Sequence, residues 1–237
     1  LKPFSADHRP VPEGKMPQAM QCSQSRYVTP LAAGVAIAVG AGISYGIWRQ
    51  RNRRSSLAAN QHVRVRVLYG SMTGTSERWA RHLADDIRRE VADSSCLEIV
   101  IEDLRNFEFD TLLSKGPDSR TEVVLVLMST QAEGAPPPHC AHFCTLLEDH
   151  VHDFRVSQAA LGHLHFSVLG FGSVEYEPNG HYCTAAARVD AALASLSAVR
   201  LLPLKRVTDT EDAATQVKPW SGNLCGTLRR LGRGEAA

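Results

Sequence analysis

The chain after Val63 switches repeatedly between the two-residue period of a strand and the longer period of a helix. Valines alternate with arginines over residues 63–67, which predicts a strand that runs to Gly70. Apolar side chains then recur every four residues from Trp79 to Val91, as on one face of an amphipathic helix. The same reasoning predicts four more strands, at Leu97–Ile101, Glu122–Met128, His163–Leu169 and Val199–Leu204, and further helices around Phe143–Leu147, around Val189–Leu196 and from about Glu211 to Leu231.

This alternation predicts an α/β fold in which one parallel, doubly wound sheet carries helices on both faces. The uninterrupted apolar run at 123–128 supports that fold, because it is typical of a strand buried on both sides. Ligands of such folds bind beyond the carboxyl ends of the strands. The loops after the first, third and fourth strands are therefore the candidates for a functional site.

A different pattern occupies the N-terminal part of the chain. Residues 1–26 are polar and aperiodic, which is typical of a disordered leader. Residues 31–48 carry no charge, and a helix of that length spans about 27 Å, close to the roughly 30 Å of a bilayer core. Extended back to Tyr27, this segment predicts a transmembrane anchor at 27–48, followed by a basic linker at 49–62.

The charges beside the predicted anchor indicate its orientation. Four arginines follow it between Arg49 and Arg54, whereas only Lys15 and Arg26 precede it within a similar distance. The positive-inside rule then predicts a single-pass membrane protein whose globular domain faces the cytosol. The endoplasmic reticulum is the preferred location, and the mitochondrial outer membrane is the alternative. A cleaved signal peptide fits less well because the basic cluster follows the apolar run. A mitochondrial targeting element stays open as an alternative.

Composition and charge exclude several classes of protein. The chain is 43% hydrophobic and 22% charged, as in an average globular protein, so neither a disordered nor a fibrous chain is indicated. The formal net charge of +1 argues against direct binding of nucleic acid, although it combines +6 in residues 1–54 with −5 in the remainder. The six cysteines form no C-x-x-C pair, so a disulfide-built secreted domain is not indicated.

The loop after the first strand combines four hydroxyl side chains with a glycine directly before a helix. Ser71, Thr73, Thr75 and Ser76 surround Gly74, which permits a tight turn in which amide N–H groups converge. A helix N-terminus in that setting stabilises a phosphate dianion without lysine or metal. Neither G-x-x-x-x-G-K-[ST] nor G-x-G-x-x-G occurs in this loop, so a nucleotide triphosphatase and a dinucleotide fold are not indicated. An ordinary N-cap would need one hydroxyl rather than four.

The segment from His139 to Cys144 is dense in metal-ligating side chains. On a helix Cys140 and Cys144 share one face while His142 points elsewhere, so the cluster does not close tetrahedrally around one zinc ion. Buried cysteines and solvent-facing histidines are the preferred interpretation, and no metal site is predicted.

Three loops in the expected order resemble those of the flavodoxin superfamily. Residues 71–76, Ser-Met-Thr-Gly-Thr-Ser, are similar to its phosphate loop, [ST]-x-T-G-x-[TSA], and residues 129–136 and 169–176 are similar to its two flavin-ring loops. The resemblance covers about residues 63–231, and it implies a five-stranded flavodoxin-like sheet of order 2-1-3-4-5, at 63–232, that binds FMN. The residues that it implies for FMN binding are Ser71, Met72, Thr73, Gly74, Thr75, Ser76, Ser129, Thr130, Gln131, Gly134, Leu169, Gly170, Gly172, Ser173, Tyr176, Tyr182 and Asp209.

Three positions depart from the pattern of that family. Gln131 stands where an aromatic residue commonly stacks on the flavin, Ala132 replaces a glycine, and Ser173 replaces Asn or Asp. Loss of one aromatic contact costs roughly a kcal/mol, which corresponds to about tenfold in FMN affinity. The remaining stacking face is assigned to Tyr176 in preference to Tyr182.

Two subfamilies combine such a domain with an N-terminal anchor, the microsomal diflavin reductases and the eukaryotic tRNA 4-demethylwyosine synthases. Residues 143–172 and 181–183 look more like the synthases, whereas Asp209 matches an acidic position near the flavin edge of the reductases. Resemblance to the synthases implies that electrons pass from FMN to the iron–sulfur cluster of a radical-SAM domain. It implies no catalytic acid or base in this chain, and only an indirect relation to tRNA.

The partner domains of these subfamilies are not encoded in the 237 residues. Within these residues no C-x-x-x-C-x-x-C occurs to hold a radical-SAM cluster, and no FAD or NADPH domain is expected among them. An enzymatic activity of the chain itself is therefore left open, and the redox partner is expected in another domain or protein. The alternatives are the FMN domain of a diflavin reductase and a degenerate flavodoxin-like interaction module without flavin.

Overall fold

Residues 62–91, 97–115, 120–210 and 212–235 are described by a computed structural model. The predicted leader, the predicted anchor at 27–48 and the linker up to residue 61 lie outside these ranges. Across the part of the chain that is described, no helix combines the length and the apolar character that crossing a membrane requires. The fold below is that of the domain that follows His62.

Six strands form one parallel sheet, and their order is β2-β1-β3-β4-β5, with β6 also paired to β4. This arrangement confirms the predicted α/β sheet of order 2-1-3-4-5. The strands are β1 (Val63–Gly70), β2 (Leu97–Asp103), β3 (Thr121–Ser129), β4 (Leu164–Gly172), β5 (Val199–Arg200) and β6 (Lys205–Thr208).

Helices connect the strands and cover both faces of the sheet. The predicted helices are confirmed, whereas a four-residue helix, α2, was not predicted because it is too short to show a helical period. The helices are α1 (Thr75–Glu90), α2 (Asp110–Leu113), α3 (Ala141–His152), α4 (Thr184–Ser195) and α5 (Ala213–Gly232), and short 3-10 turns occur at Ala132–Gly134, Pro138–Cys140 and Val174–Tyr176.

The predicted fifth strand, Val199–Leu204, is wrong as a continuous element. β5 ends at Arg200, paired with Phe166, and β6 begins at Lys205, paired with Leu169. The chain advances five residues from Arg200 to Lys205, while the paired part of β4 advances only three, from Phe166 to Leu169. Pro203 lies between the two short strands and has no N–H to donate to a neighbouring strand. The chain leaves the sheet between the two short strands, and the pairing that reaches the end of β4 belongs to β6.

Alternate residues of each inner strand face opposite layers of the core. In β1 the valines at 63, 65 and 67 pack with Leu83 and Ile87 of α1, on the face that α5 also covers. Leu68 faces the other layer, with Phe143 of α3 and Leu193 of α4. This two-period alternation explains why the sequence pattern predicted β1 correctly.

All carboxyl ends of the strands lie at one edge of the sheet because every pairing is parallel. We call this edge the carboxyl edge; it comprises the loops 70–76, 129–137, 172–183 and 208–212. The loops that the sequence analysis selected all lie there.

Candidate functional site

Backbone and side-chain hydrogen bonds join neighbouring loops of the carboxyl edge. Ser129 Oγ donates to the carbonyl of Gly70, at 3.1 Å, and ties the end of β3 to the end of β1. The N–H of Thr130 donates to Phe171 O, at 2.9 Å, and the N–H of Asp209 donates to Gly172 O, at 3.0 Å. Consequently, residues that are distant in the sequence meet in one continuous site.

The first loop leads into α1 through a glycine in the left-handed conformation. Gly74, the N-cap of α1, has φ of 82°, which residues with a side chain rarely adopt. A Cβ placed on it would meet no atom within 4 Å, so open space lies beside the start of the helix. The first N–H groups of a helix lack intrahelical partners, and Ser71 Oγ accepts one of them, from Ser76, at 3.2 Å. This helix start is suited to an anion.

The hydroxyl groups of the first loop differ in what they bind. Thr75 Oγ1 donates to Asp209 Oδ2, at 3.0 Å, and lies 3.3 Å from Thr73 Oγ1. Ser76 Oγ is fully buried and has no hydrogen-bond partner. A buried hydroxyl without a partner costs about 1–3 kcal/mol. The unsatisfied hydroxyl and the open space beside Gly74 both fit an FMN phosphate, which supplies acceptor oxygens.

The second loop turns tightly directly after β3. Gln131 N–H donates to Ala135 O, at 2.8 Å, and Gly134 N–H donates to Gln131 O, at 3.2 Å. Glu133, with φ of 63°, and Gly134, with φ of 77°, both take the left-handed conformation. For a residue with a side chain this costs about 1–2 kcal/mol. The turn presents backbone groups at the position where the family resemblance places the flavin ring.

Thr130 and Gly134 add two further features to the second loop. Thr130 Oγ1 is buried and, like Ser76 Oγ, lacks a hydrogen-bond partner. A Cβ on Gly134 would lie 3.1 Å from His181 Nδ1 and 3.2 Å from Thr184 Cβ, so glycine lets this loop pack against the third loop. The side chain of Gln131 is half-buried.

Leu169 and Gly170, which were predicted to bind FMN, lie inside β4 before its last residues. Leu169 is fully buried in the core on the α1 side of the sheet. Gly170 faces α4, where a Cβ would come within 2.7 Å of Ala186 Cβ. The structure therefore places both in helix–sheet packing, whereas Gly172 and Ser173 lie at the carboxyl edge.

Ser173 caps the 3-10 turn that begins the third loop. Its Oγ accepts from the N–H of Glu175, at 3.3 Å, as Asn or Asp would in the same position. This departure from the family pattern therefore preserves the local turn.

The two candidate tyrosines differ in exposure and in hydrogen bonding. Tyr176 is 43% exposed and ends the 3-10 turn. Tyr182 is half-buried, and its hydroxyl lies 3.1 Å from Thr208 Oγ1. Burial raises the pKa of Tyr182 above its usual value. Tyr182 thus joins the third loop to β6, while the ring of Tyr176 is available to a planar ligand.

An apolar rim accompanies Tyr176 at the carboxyl edge. Met72 of the first loop is 56% exposed and Val174 of the third loop is 47% exposed, so both side chains are accessible to a ligand or partner. Met72 was among the residues predicted from the sequence, whereas Val174 was not. The sequence signal for Val174 is an apolar residue in a loop whose other residues are mostly polar or charged.

The cavities near the amino ends of the strands and at the end of α3 lie away from these loops. One of about 400 Å³ is lined by Arg64, Arg66 and Glu122, and another of about 450 Å³ lies beside His150 and Phe154. The candidate site is defined by the donors and the exposed apolar side chains of the carboxyl edge.

The cysteines of the predicted helix around Phe143 lie in the core. Cys140 and Cys144 are buried, and burial raises the pKa of the Cys140 thiol to about 12 and that of Cys144 to about 11. His142 is exposed. Within the described ranges no three His, Cys, Asp or Glu side chains are grouped so as to hold a metal ion. Cys140 instead packs under the first loop, where a Cβ on Gly70 would lie 2.6 Å from its Sγ.

Comparisons with known proteins agree with this geometry. The family model described as flavodoxin matches residues 67–220. The S-adenosyl-L-methionine-dependent tRNA 4-demethylwyosine synthase of Danio rerio is 29% identical over 177 residues, which are 72% of this chain and 23% of that protein. The sulfite reductase [NADPH] flavoprotein alpha-component of Thiocapsa roseopersicina is 28% identical over 168 residues, 71% of this chain and 28% of that protein.

A solved structure shows the same fold. A cysteine-to-alanine mutant of flavodoxin from Pseudomonas aeruginosa superposes with a TM-score of 0.53 at 23% identity, covering 70% of this chain and 99% of that one. The chain spans about a quarter of the length of the two curated relatives above. The similarity to those longer proteins therefore concerns one of their parts.

Proposed function

Because this chain belongs to the flavodoxin family and binds FMN, we propose that it is the electron-donating part of a protein like the tRNA 4-demethylwyosine synthases. FMN, when bound, supplies the chemistry of accepting and releasing electrons. The acceptor in this proposal is an iron–sulfur cluster in a further domain or in another chain. The observation that carries the proposal is the similarity to the zebrafish synthase over 177 residues, which are 72% of this chain.

The residues of the chain hold and surround the cofactor in this proposal. The start of α1 and the hydroxyl of Ser76 would bind the phosphate, and the turn at Gln131–Gly134 would flank the ring. Tyr176 would stack on the ring, while Met72 and Val174 would shield its apolar edge from water. Each of these groups lies at the carboxyl edge, so one face of the domain both holds the cofactor and meets the acceptor.

The charge of the carboxyl edge supports a basic surface on the acceptor. Its described residues include no Lys or Arg. They include five exposed carboxylates: Glu133, Glu175, Glu177, Asp209 and Asp212. Charge complementarity of this kind raises association rates and falls off with added salt.

Membrane attachment through residues 27–48 is a further part of the proposal. The uncharged run and the arginines at 49–54 support it. With the domain on the cytosolic side, the anchor would restrict the search for a membrane-associated partner to two dimensions. The tRNA itself would contact the acceptor and not this domain.

Electron transfer to an iron–sulfur cluster tests the proposal directly. The full chain is loaded with FMN, reduced photochemically without oxygen, and mixed with the cluster-containing part of the zebrafish synthase. We expect the electron paramagnetic resonance signal of a reduced cluster and a rate that falls as salt is added. A chain from which FMN has been removed is the control. Reoxidation no faster with the cluster protein than with buffer would contradict the proposed acceptor.

The FMN domain of a diflavin reductase is the second candidate, favoured by the similarity to the sulfite reductase flavoprotein component. The transcript sequence downstream of Ala237 distinguishes the two candidates. A C-x-x-x-C-x-x-C motif there would support the synthase, whereas an FAD-binding and NADPH-binding domain would support the reductase.

A further inference from the structure

The Thr75 hydroxyl at the start of α1 is engaged by a carboxylate. Thr75 Oγ1 lies 3.0 Å from Asp209 Oδ2, across 134 residues of sequence. An ionised carboxylate only accepts hydrogen bonds, and a hydroxyl has one proton, so the Thr75 proton is directed at Asp209. That proton is then not available to a phosphate bound at the helix start.

The same arrangement reaches a second hydroxyl of the loop. Thr73 Oγ1 lies 3.3 Å from Thr75 Oγ1. Since Thr75 gives its proton to Asp209, Thr73 is the donor of this second bond. Two of the four hydroxyl protons in the loop are therefore directed along a chain that ends at Asp209, whereas Ser76 Oγ has no partner.

The backbone beside Asp209 is held from two sides. Asp209 N–H donates to Gly172 O, at 3.0 Å. The hydroxyl of the preceding residue, Thr208, lies 3.1 Å from that of Tyr182, and the N–H of Thr208 donates to Gln216 Oε1, at 3.2 Å. The backbone that carries the Asp209 carboxylate is thus fixed by bonds to the third loop and to α5.

We propose that Asp209 is a positioning residue that competes with the FMN phosphate for the Thr75 hydroxyl and thereby limits the affinity for FMN. Two effects act in the same direction: the carboxylate retains the Thr75 proton, and its charge repels a phosphate dianion. The described residues of the carboxyl edge contain no Lys or Arg to offset that charge. The inference rests on FMN as the ligand and is independent of the proposed electron acceptor.

Fluorescence titration of the full chain with FMN and with riboflavin tests this inference. Riboflavin lacks the phosphate, so a residue that acts on the phosphate changes the affinity for FMN alone. Asp209→Asn removes the charge and lets the amide N–H donate to Thr75 Oγ1, which frees the Thr75 proton. We expect a Kd for FMN about tenfold lower and an unchanged Kd for riboflavin. Asp212→Asn, an exposed carboxylate of the same loop, is the matched control and is expected to change the FMN Kd less than twofold.

A double-mutant cycle shows whether Asp209 acts through Thr75. In a Thr75→Val background, Asp209→Asn is expected to improve FMN binding by less than threefold, because only charge repulsion remains to be relieved. Asp209→Ser, too short to hold Thr75, should reproduce the tenfold gain and serves if the asparagine variant does not fold.

Four results would overturn the inference. They are a weaker binding of FMN by the Asp209 variants, an equal change for riboflavin, the same gain in Asp212→Asn, and an undiminished gain in the Thr75→Val background. Absence of FMN quenching in every variant would instead overturn FMN as the ligand. Electron transfer to the cluster protein is measured separately, so its failure leaves these affinities interpretable.

Discussion

Two buried hydroxyl oxygens without partners coincide with the loops that hold FMN in this family. In the described part of the chain, Ser76 Oγ and Thr130 Oγ1 are the only buried hydroxyl oxygens without a hydrogen bond. Each costs about 1–3 kcal/mol while unsatisfied. A phosphate that accepts from Ser76 would remove that cost, so the unbound protein stores part of the affinity for FMN at this residue.

Ser76→Ala should therefore affect stability and FMN binding in opposite directions. Removing the unpartnered hydroxyl is expected to leave the free energy of unfolding of the FMN-free chain unchanged or higher by up to about 1 kcal/mol. Loss of a hydrogen bond to a charged phosphate should raise the Kd for FMN roughly tenfold to a hundredfold. Urea unfolding and fluorescence titration measure the two quantities. Equal losses of affinity for FMN and riboflavin would show that Ser76 does not act on the phosphate.

Two glycine-to-alanine substitutions distinguish the effect of close packing on stability from the effect of helix propensity. A Cβ at Gly170 would meet Ala186 Cβ at 2.7 Å, so Gly170→Ala should lower the free energy of unfolding by about 1–3 kcal/mol. At Gly222, inside α5, a Cβ would meet no atom within 4 Å, and Gly222→Ala should raise it by about 0.5–1 kcal/mol. Urea unfolding of both variants provides the comparison. A loss from Gly222→Ala as large as from Gly170→Ala would contradict the packing explanation.

At the scale of the elements, an ion pair fastens α4 to the short strand β5. Arg200 donates to both carboxylate oxygens of Asp190, at 3.0 and 2.8 Å, and its guanidinium lies 5.3 Å from the centre of the Phe166 ring. The Asp190 side chain is only 12% exposed. β5 pairs with β4 at only two positions, so it makes few backbone hydrogen bonds. The Asp190–Arg200 ion pair adds a side-chain contact that holds this strand against α4.

Asp190→Asn should consequently destabilise the fold more than loss of an exposed pair. We expect the free energy of unfolding to fall by about 2 kcal/mol, since two charge-assisted hydrogen bonds are weakened beside a largely buried position. Glu148→Gln, which breaks the more exposed pair between α3 and α4 at Arg188, is the control and should cost less than about 1 kcal/mol. Thermal or urea unfolding gives both values. Equal losses would show that burial of the Asp190 carboxylate is unimportant.

Local patterns predicted most of the elements, and contacts distant in sequence explain the rest. The alternation in β1 and the stripe of α1 are properties of neighbouring residues, and the structure confirms both elements. The end of β5 depends on Pro203 and on the pairing offset against β4, which no periodicity reveals. The Thr75–Asp209 bond joins residues 134 apart, so the sequence indicated two candidate residues but not their contact.

At the scale of the whole molecule, the carboxyl edge and the segment at residues 49–54 differ in the sign of their charge. The described loops of the carboxyl edge carry carboxylates without Lys or Arg, whereas residues 49–54 carry four arginines. In the proposed arrangement the arginines meet anionic lipid headgroups, which attract such segments by about 1 kcal/mol per residue. The carboxylates are left to meet a basic protein partner. The proposed arrangement thus uses opposite charges of one chain for a membrane and for an electron acceptor.

Deletion of residues 27–48 tests the membrane part of that arrangement. An uncharged segment of this length is expected to partition into a bilayer, so the full chain should sediment with membranes and resist extraction by carbonate. The deletion variant should move to the supernatant and keep its affinity for FMN, because no residue of the candidate site lies in the deleted segment. Deletion of residues 1–22, which removes the same number of residues from the predicted leader, is the control and should leave the protein in the pellet. If the variant lacking 27–48 stayed in carbonate-washed membranes, another part of the chain would have to hold the protein there.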